Sequence, residues 1–166
     1  MISISILTLV LLKAQADDSP ELQLLLRRPL NATVIRVGDK VALNAGFRNN
    51  SRAPLWLDGR IAYKVHLQLR ITDEHGSDIS FPGSMEKIKL PPPDKDDFVR
   101  LASYTELLRS DLTNGALVFA HPGKYTLTLS GSHGSSVASA KRFGINLARI
   151  GAPARLEVTV LNSTKG

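Results

Sequence analysis

Four histidines, His66, His75, His121 and His133, are the residues here best suited to a transition metal. Imidazole nitrogens hold copper or zinc, and the thioether of Met85 would favour copper. His75 and Met85 could meet at one end of a small domain. No two histidines stand two or four residues apart, so a site would need convergence from separate loops. The alternative is four ordinary imidazoles: His66 on the polar face of a strand, the others in turns and loops. A second candidate is Asp94-Lys95-Asp96-Asp97. Carboxylates are the hard donors that calcium takes, and Asp94, Asp96 and Asp97 place three in four residues. Asp73, Glu74 and Asp78 would join them only if both loops share an end of the fold. The stretch lacks the glycine and distal glutamate of an EF-hand, and Lys95 opposes a cation. A solvated acidic turn is the competing reading.

Ser132-His133 and Ser135-Ser136 carry hydroxyls near an imidazole, as nucleophilic catalysis requires. Adjacent residues seldom align the two groups, and no G-x-S-x-G elbow is present. A Gly/Ser-rich loop explains them equally well. Neither a phosphate-binding loop nor a dinucleotide fingerprint occurs, so no cofactor is expected. Pro91-Pro92-Pro93 fixes an extended backbone. Such a stretch loses little entropy on entering a groove and could mimic a protease substrate; it could also be a stiff crossover between sheets. Trp56, after Pro54-Leu55, is either a core anchor or part of a ligand patch.

The elements that must position these residues are strands. In Lys64–Thr72, Val65, Leu67, Leu69 and Ile71 make one face, with Lys64, His66, Gln68, Arg70 and Thr72 on the other. A period of two over this length is a half-buried strand. Similar patterns predict strands over Leu22–Leu26, Thr33–Val37, Lys40–Arg48, Lys87–Leu90, Phe98–Leu101, Lys124–Ser130, Val137–Leu147 and Arg155–Leu161. Asp73-Glu74-His75-Gly76 reads as a turn leading to a partner strand at Ile79-Ser80-Phe81. Ser103-Tyr104-Thr105-Glu106 has the form of a capping box, so one short helix is expected there, with Tyr104, Leu107 and Leu108 as its apolar stripe. Seven to nine strands without a long helical period predict an all-β domain, two antiparallel sheets packed as a sandwich.

The first sixteen residues suggest where the protein works. Ile2–Leu12 is almost unbroken apolar sequence, and Ala14-Gln15-Ala16 follows as a small-x-small cleavage site. This is the layout of a secretory signal peptide, too short to span a bilayer as a helix. The absence of Lys or Arg before the apolar run leaves a buried N-terminal strand as the alternative. Residues 17–166 would then form a single domain, secreted or periplasmic, with no transmembrane span in the mature chain. The chain has no cysteine, so its stability must come from core burial and sheet hydrogen bonds. Net charge is +6 at pH 7, but the cations are scattered and aromatic content is 5%, which argues against nucleic acid. Asn31, Asn49 and Asn162 head glycosylation sequons, meaningful only in a eukaryotic secretory pathway.

The segments Val37-Gly38-Asp39-Lys40-Val41, Phe47-Arg48-Asn49-Asn50-Ser51, Ile71–Gly76 and His121-Pro122-Gly123-Lys124-Tyr125-Thr126-Leu127 together resemble exported bacterial immunoglobulin-like sandwiches. The layout is also similar to the intracellular proteinase-inhibitor family. The resemblance covers roughly residues 33–160 and implies a fold, not a set of functional residues. The expectation is a non-enzymatic domain that binds a protein or cell-envelope component through loops or a sheet edge. The competing expectations are a protease inhibitor using Pro91–Pro93, and a metal-binding domain. A hydrolase is a more distant one. Oligomeric state is open.

Overall fold

A computed structural model describes residues 21–28, 34–61, 64–81 and 89–163. The leader, Asn31, Met85 and the start of the Lys87–Leu90 strand lie outside these residues. Lys89 and Leu90 are in no strand.

The described chain is mostly β. Its strands are β1 (Glu21–Arg27), β2 (Ile35–Arg36), β3 (Asn44–Asn49), β4 (Leu55–Asp58), β5 (Leu67–Asp73), β6 (Phe98–Leu101), β7 (Glu106–Arg109), β8 (Gly123–Gly131), β9 (Arg149–Ile150) and β10 (Ala154–Leu161). One sheet runs β7-β3-β1-β9 and a second runs β2-β10-β8-β5, while β4 and β6 form a separate pair. The alternation over Lys64–Thr72 places Leu67 and Ile71 inward and Gln68 and Arg70 outward, as two-residue periodicity requires. The same logic sends Leu22, Leu24 and Leu26 of β1 and Tyr125, Leu127 and Leu129 of β8 into a core that both sheets share. Burial of these side chains is the main stabilising term in a chain without disulfides.

Four expectations need correction. The sheets are mixed rather than purely antiparallel: β9 runs parallel to β1, and β2 parallel to β10. The helix expected around Tyr104–Leu108 is instead a turn followed by β7. Tyr104 adopts a φ of 58°, and the Thr105 hydroxyl donates to the Ala102 carbonyl of its own turn, so the apparent capping box never starts a helix. Leu107 and Leu108 then alternate on a strand paired with β3. Conversely, Ser136–Arg142 is a helix, α1, within the segment expected to be a strand. Ser136, Ser139 and Ala140 form its buried face at helical spacing, and Gly144 follows it with a φ of 69°. Ile79–Phe81 is not a full strand. Its neighbour Asp78 bridges to Thr72, and the Ile79 N–H donates to the Ile71 carbonyl.

Two further positions fix the layers. Gly46 lies between β1 and β7, where an added Cβ would overlap the Leu107 carbonyl oxygen. No other residue fits without displacing β7. Asn49, the head of a sequon, is fully buried. Its amide donates to the carbonyls of Ala53, Leu101 and Ala102, and its oxygen accepts from Ser51. It is a structural hub joining β3 to the end of β6. Asn162 is exposed.

Candidate functional site

Two regions stand out. The first is a polar knot centred on Asp58, the last residue of β4, whose side chain is 1% exposed. It lies on the face of β4 opposite the core residue Leu57, where Ser136 of α1 covers it, and Arg60, two residues on, turns back to meet it. The Arg60 Nη2 lies 2.6 Å from Asp58 Oδ2 and its Nε 2.9 Å from Oδ1; the Arg60 backbone N–H adds a third donor at 3.0 Å. From α1, the Ser136 hydroxyl donates to Asp58 Oδ2 at 2.6 Å. His66, immediately before β5, brings its Nε2 to 3.2 Å from both Asp58 Oδ2 and Ser136 Oγ. Burial by itself would raise the Asp58 carboxyl. The hydrogen bonds from Arg60 and Ser136 outweigh it, the charge of His66 adds to them, and the carboxyl is held down to about 2. Burial dominates at His66 and lowers it, with Arg60 and His133 in the same direction and Asp58 opposing.

The knot contains serine, histidine and carboxylate, but not in the arrangement of an acyl-transfer triad. A relay uses one imidazole nitrogen for the serine and the other for the carboxylate. Here Nε2 faces both, and the serine already gives its proton to the carboxylate. Ser136 is fully buried. The chemistry available to this arrangement is cross-linking: it ties β4, α1 and the start of β5 through charge-assisted hydrogen bonds.

The knot also explains the proline loop. Arg60 Nη1 donates to the Pro91 carbonyl at 2.9 Å, and its Nε lies 3.8 Å from Asp97. Pro91 and Pro92 are exposed while Pro93 is buried. Asp97 closes a 3-10 turn over Lys95–Asp97 by accepting the Asp94 backbone N–H. Asp94 and Asp96 are exposed at that turn. His75 is exposed on the Asp73–Gly76 turn, beside Glu74 at 3.8 Å. Among the described residues, no three histidine or carboxylate side chains come together in a way that could hold a metal ion. Trp56 is half-buried outside the main core, with the Arg100 guanidinium 5.6 Å above its ring; its neighbour Leu57 is the buried anchor. His133 sits 2.6 Å from the Ala148 carbonyl, not against Ser132, and His121 lends its carbonyl to the Tyr125 hydroxyl.

The second region is a cleft of about 730 Å³ between β1 and the chain that leaves β9 for β10. β9 accompanies β1 only at Glu21 and Leu22, and the Gly151 N–H donates to the Leu22 carbonyl. The chain then crosses to the other sheet, where Ala154 pairs with Leu129. The outer edge of β1 from Gln23 to Arg27 has no strand beside it among the described residues. Backbone groups alternate sides along a strand, so those of Leu24 and Leu26 face the same way as that of Leu22, into the cleft. Gly151, Ala152, Pro153 and Ala154 make the opposite wall, all small and without polar side chains.

Sequence reasoning missed both regions. Asp58 carries no motif, and His66 is buried rather than exposed on a polar face, because Asp58 and Ser136 pack against its ring. The cleft arises from a parallel pairing that ends after two residues, which no local pattern encodes. The alternation in β1 was the available signal, since it marked a strand whose neighbours were unassigned.

No protein-family model matches this chain, and no curated protein matches its sequence. No helix among the described residues is long and apolar enough to cross a membrane.

Proposed function

We propose that this protein is an exported, non-enzymatic, immunoglobulin-like sandwich that binds a protein or envelope component by adding a strand to the open edge of β1. The observation that carries the reading is the run Gln23–Arg27, which has no strand on one side among the described residues and lines a cleft of about 730 Å³. An exposed edge is a template for an extended segment, which would complete the ladder at Leu24 and Leu26. Export draws its support from the apolar run Ile2–Leu12 and the Ala14-Gln15-Ala16 site. The immunoglobulin-like reading draws on two sheets around one core and on the Tyr125 hydroxyl donating at 2.9 Å to the His121 carbonyl, a corner bond such sandwiches use at a late strand.

The test is a comparison of wild type with Ala152→Trp, which fills the cleft from an exposed position. A partner captured from the envelope fraction should protect the Leu24 and Leu26 amides from hydrogen exchange and should be lost by the folded variant. A partner retained at full strength by Ala152→Trp would overturn the reading. A second reading, protease inhibition by Pro91–Pro93, is favoured by the Arg60 tether that holds two exposed prolines in place. Incubation with a protease panel tests it.

A further inference from the structure

The charges lining the cleft are not equivalent. Glu21 is held by Arg149, with 2.9 Å between its Oε2 and the arginine Nη2. Arg27 makes a two-pronged pair with Glu106 at 2.8 and 2.9 Å. Arg155 is exposed and has no ion pair or hydrogen bond among the described residues. Filling the cleft would shield a lone positive charge and leave the other two neutralised.

The topology also locates Arg155. β9 and β1 run parallel, so residues 151–155 leave Gly151 in the same direction as β1 runs from Leu22 toward Arg27. The cleft is closed at Gly151, where the chain still bonds to Leu22, and it widens as β10 joins the other sheet. Arg155 belongs to the wide end. Of the other lining side chains, Gln23 accepts from the Asn50 amide and the Ser51 hydroxyl donates to Asn49 and Ala53, while Leu25, Ala152, Pro153 and Ala154 are apolar.

We infer that the occupant is an extended acidic segment: a strand of about five residues, small or apolar where it faces the cleft, with a carboxylate at the Arg155 mouth. The length follows from the five positions of β1, Gln23–Arg27, that have β3 on one side and no second strand among the described residues, at about 3.3 Å each. This inference rests on the strand-addition reading above and adds the chemistry of the partner to it. A second copy of the chain is a poorer occupant, because the one anion of its own β1, Glu21, is already held by Arg149. The carboxylate contributes chiefly to selectivity, since the backbone ladder is indifferent to sequence.

The probes are fluorescein-labelled peptides of alternating valine and threonine, six residues long, with one glutamate or one lysine at either end. Binding to the full chain is followed by anisotropy, and the site by amide shifts at Leu24 and Leu26. At least one glutamate peptide should bind about tenfold more tightly than its lysine counterpart, with the ratio falling as salt rises. Arg155→Gln should abolish the ratio and Arg155→Glu should reverse it. N-methylation of alternate peptide amides, which leaves the protein untouched, should remove binding. Equal binding of the glutamate and lysine peptides, or a preference that survives Arg155→Gln, overturns the acidic partner while strand addition stands. Absence of binding by every peptide, or binding indifferent to N-methylation and to Ala152→Trp, overturns both.

Discussion

The knot around Asp58 and the cleft beside β1 spend their hydrogen-bonding capacity in opposite ways. At the knot, side chains from β4, α1 and the approach to β5 converge until the carboxylate has donors from Arg60 and Ser136 on both oxygens. At the cleft, the backbone of Leu24 and Leu26 has no strand partner on that side among the described residues, and Arg155 makes no ion pair or hydrogen bond with them. Satisfied polar groups in a dry interior hold elements together; unsatisfied ones at an accessible edge invite a partner. The contrast teaches that the histidine, serine and aspartate here bond to one another in a closed interior, while the surface proposed for binding has almost no reactive side chain.

The comparison breaks most forcefully at Asp58. Asp58→Ala leaves the Arg60 guanidinium and the Ser136 hydroxyl without their acceptor, and should lower stability by about 3–5 kcal/mol in urea unfolding. A loss below about 1 kcal/mol would show that the knot is not a keystone. Ser136→Ala removes one donor and keeps the Arg60 pair, so it should lose about 1–2 kcal/mol by the same measurement.

Acid sharpens the distinction. Unfolded, His66 takes its proton near 6.5, whereas the buried ring is lowered and resists. Its contribution is therefore whole above 6.5 and is lost as pH falls through that value toward the folded one. Asp58 acts in more acidic solution: it is lowered from 3.8 to about 2, so its contribution is whole above 3.8 and drains between there and about 2. His66→Gln should flatten the stability curve below 6.5 while leaving the more acidic fall intact, as thermal unfolding across a pH series would reveal. An unchanged slope in the upper window would remove His66 from the account. The smallest effect belongs to the cleft. Ala152→Trp should alter stability by no more than about 0.5 kcal/mol, since Ala152 is exposed, even as it blocks binding. A large destabilisation would mean that the cleft wall is structural after all.

Much of the strand content was legible because burial imposes a period of two, and Leu67, Ile71, Tyr125, Leu127 and Leu129 follow it without exception. Local chemistry misled where a tertiary demand overrode it. Thr105 resembled part of a helix cap, yet its hydroxyl serves a turn, and the pairing of Leu107 with Phe47 decides for a strand. The Ser136–Arg142 helix was hidden because its buried face is made of two serines and an alanine rather than large apolar residues. The site was less legible still. Asp58, His66 and Ser136 are up to 78 residues apart and meet only through packing, while the open edge is a property of which strands neighbour β1.

The two parallel pairings set an order of events. β1 and β2 lie early in the chain, yet their parallel neighbours β9 and β10 come last. Until Arg149–Leu161 has been synthesised, neither four-stranded sheet has its full complement, and the ends that must meet are separated by most of the chain. Closing loops of that length is slow compared with forming hairpins. A nascent chain of this kind stays incompletely folded until β9 and β10 have emerged, so assembly is timed by the segment that supplies them.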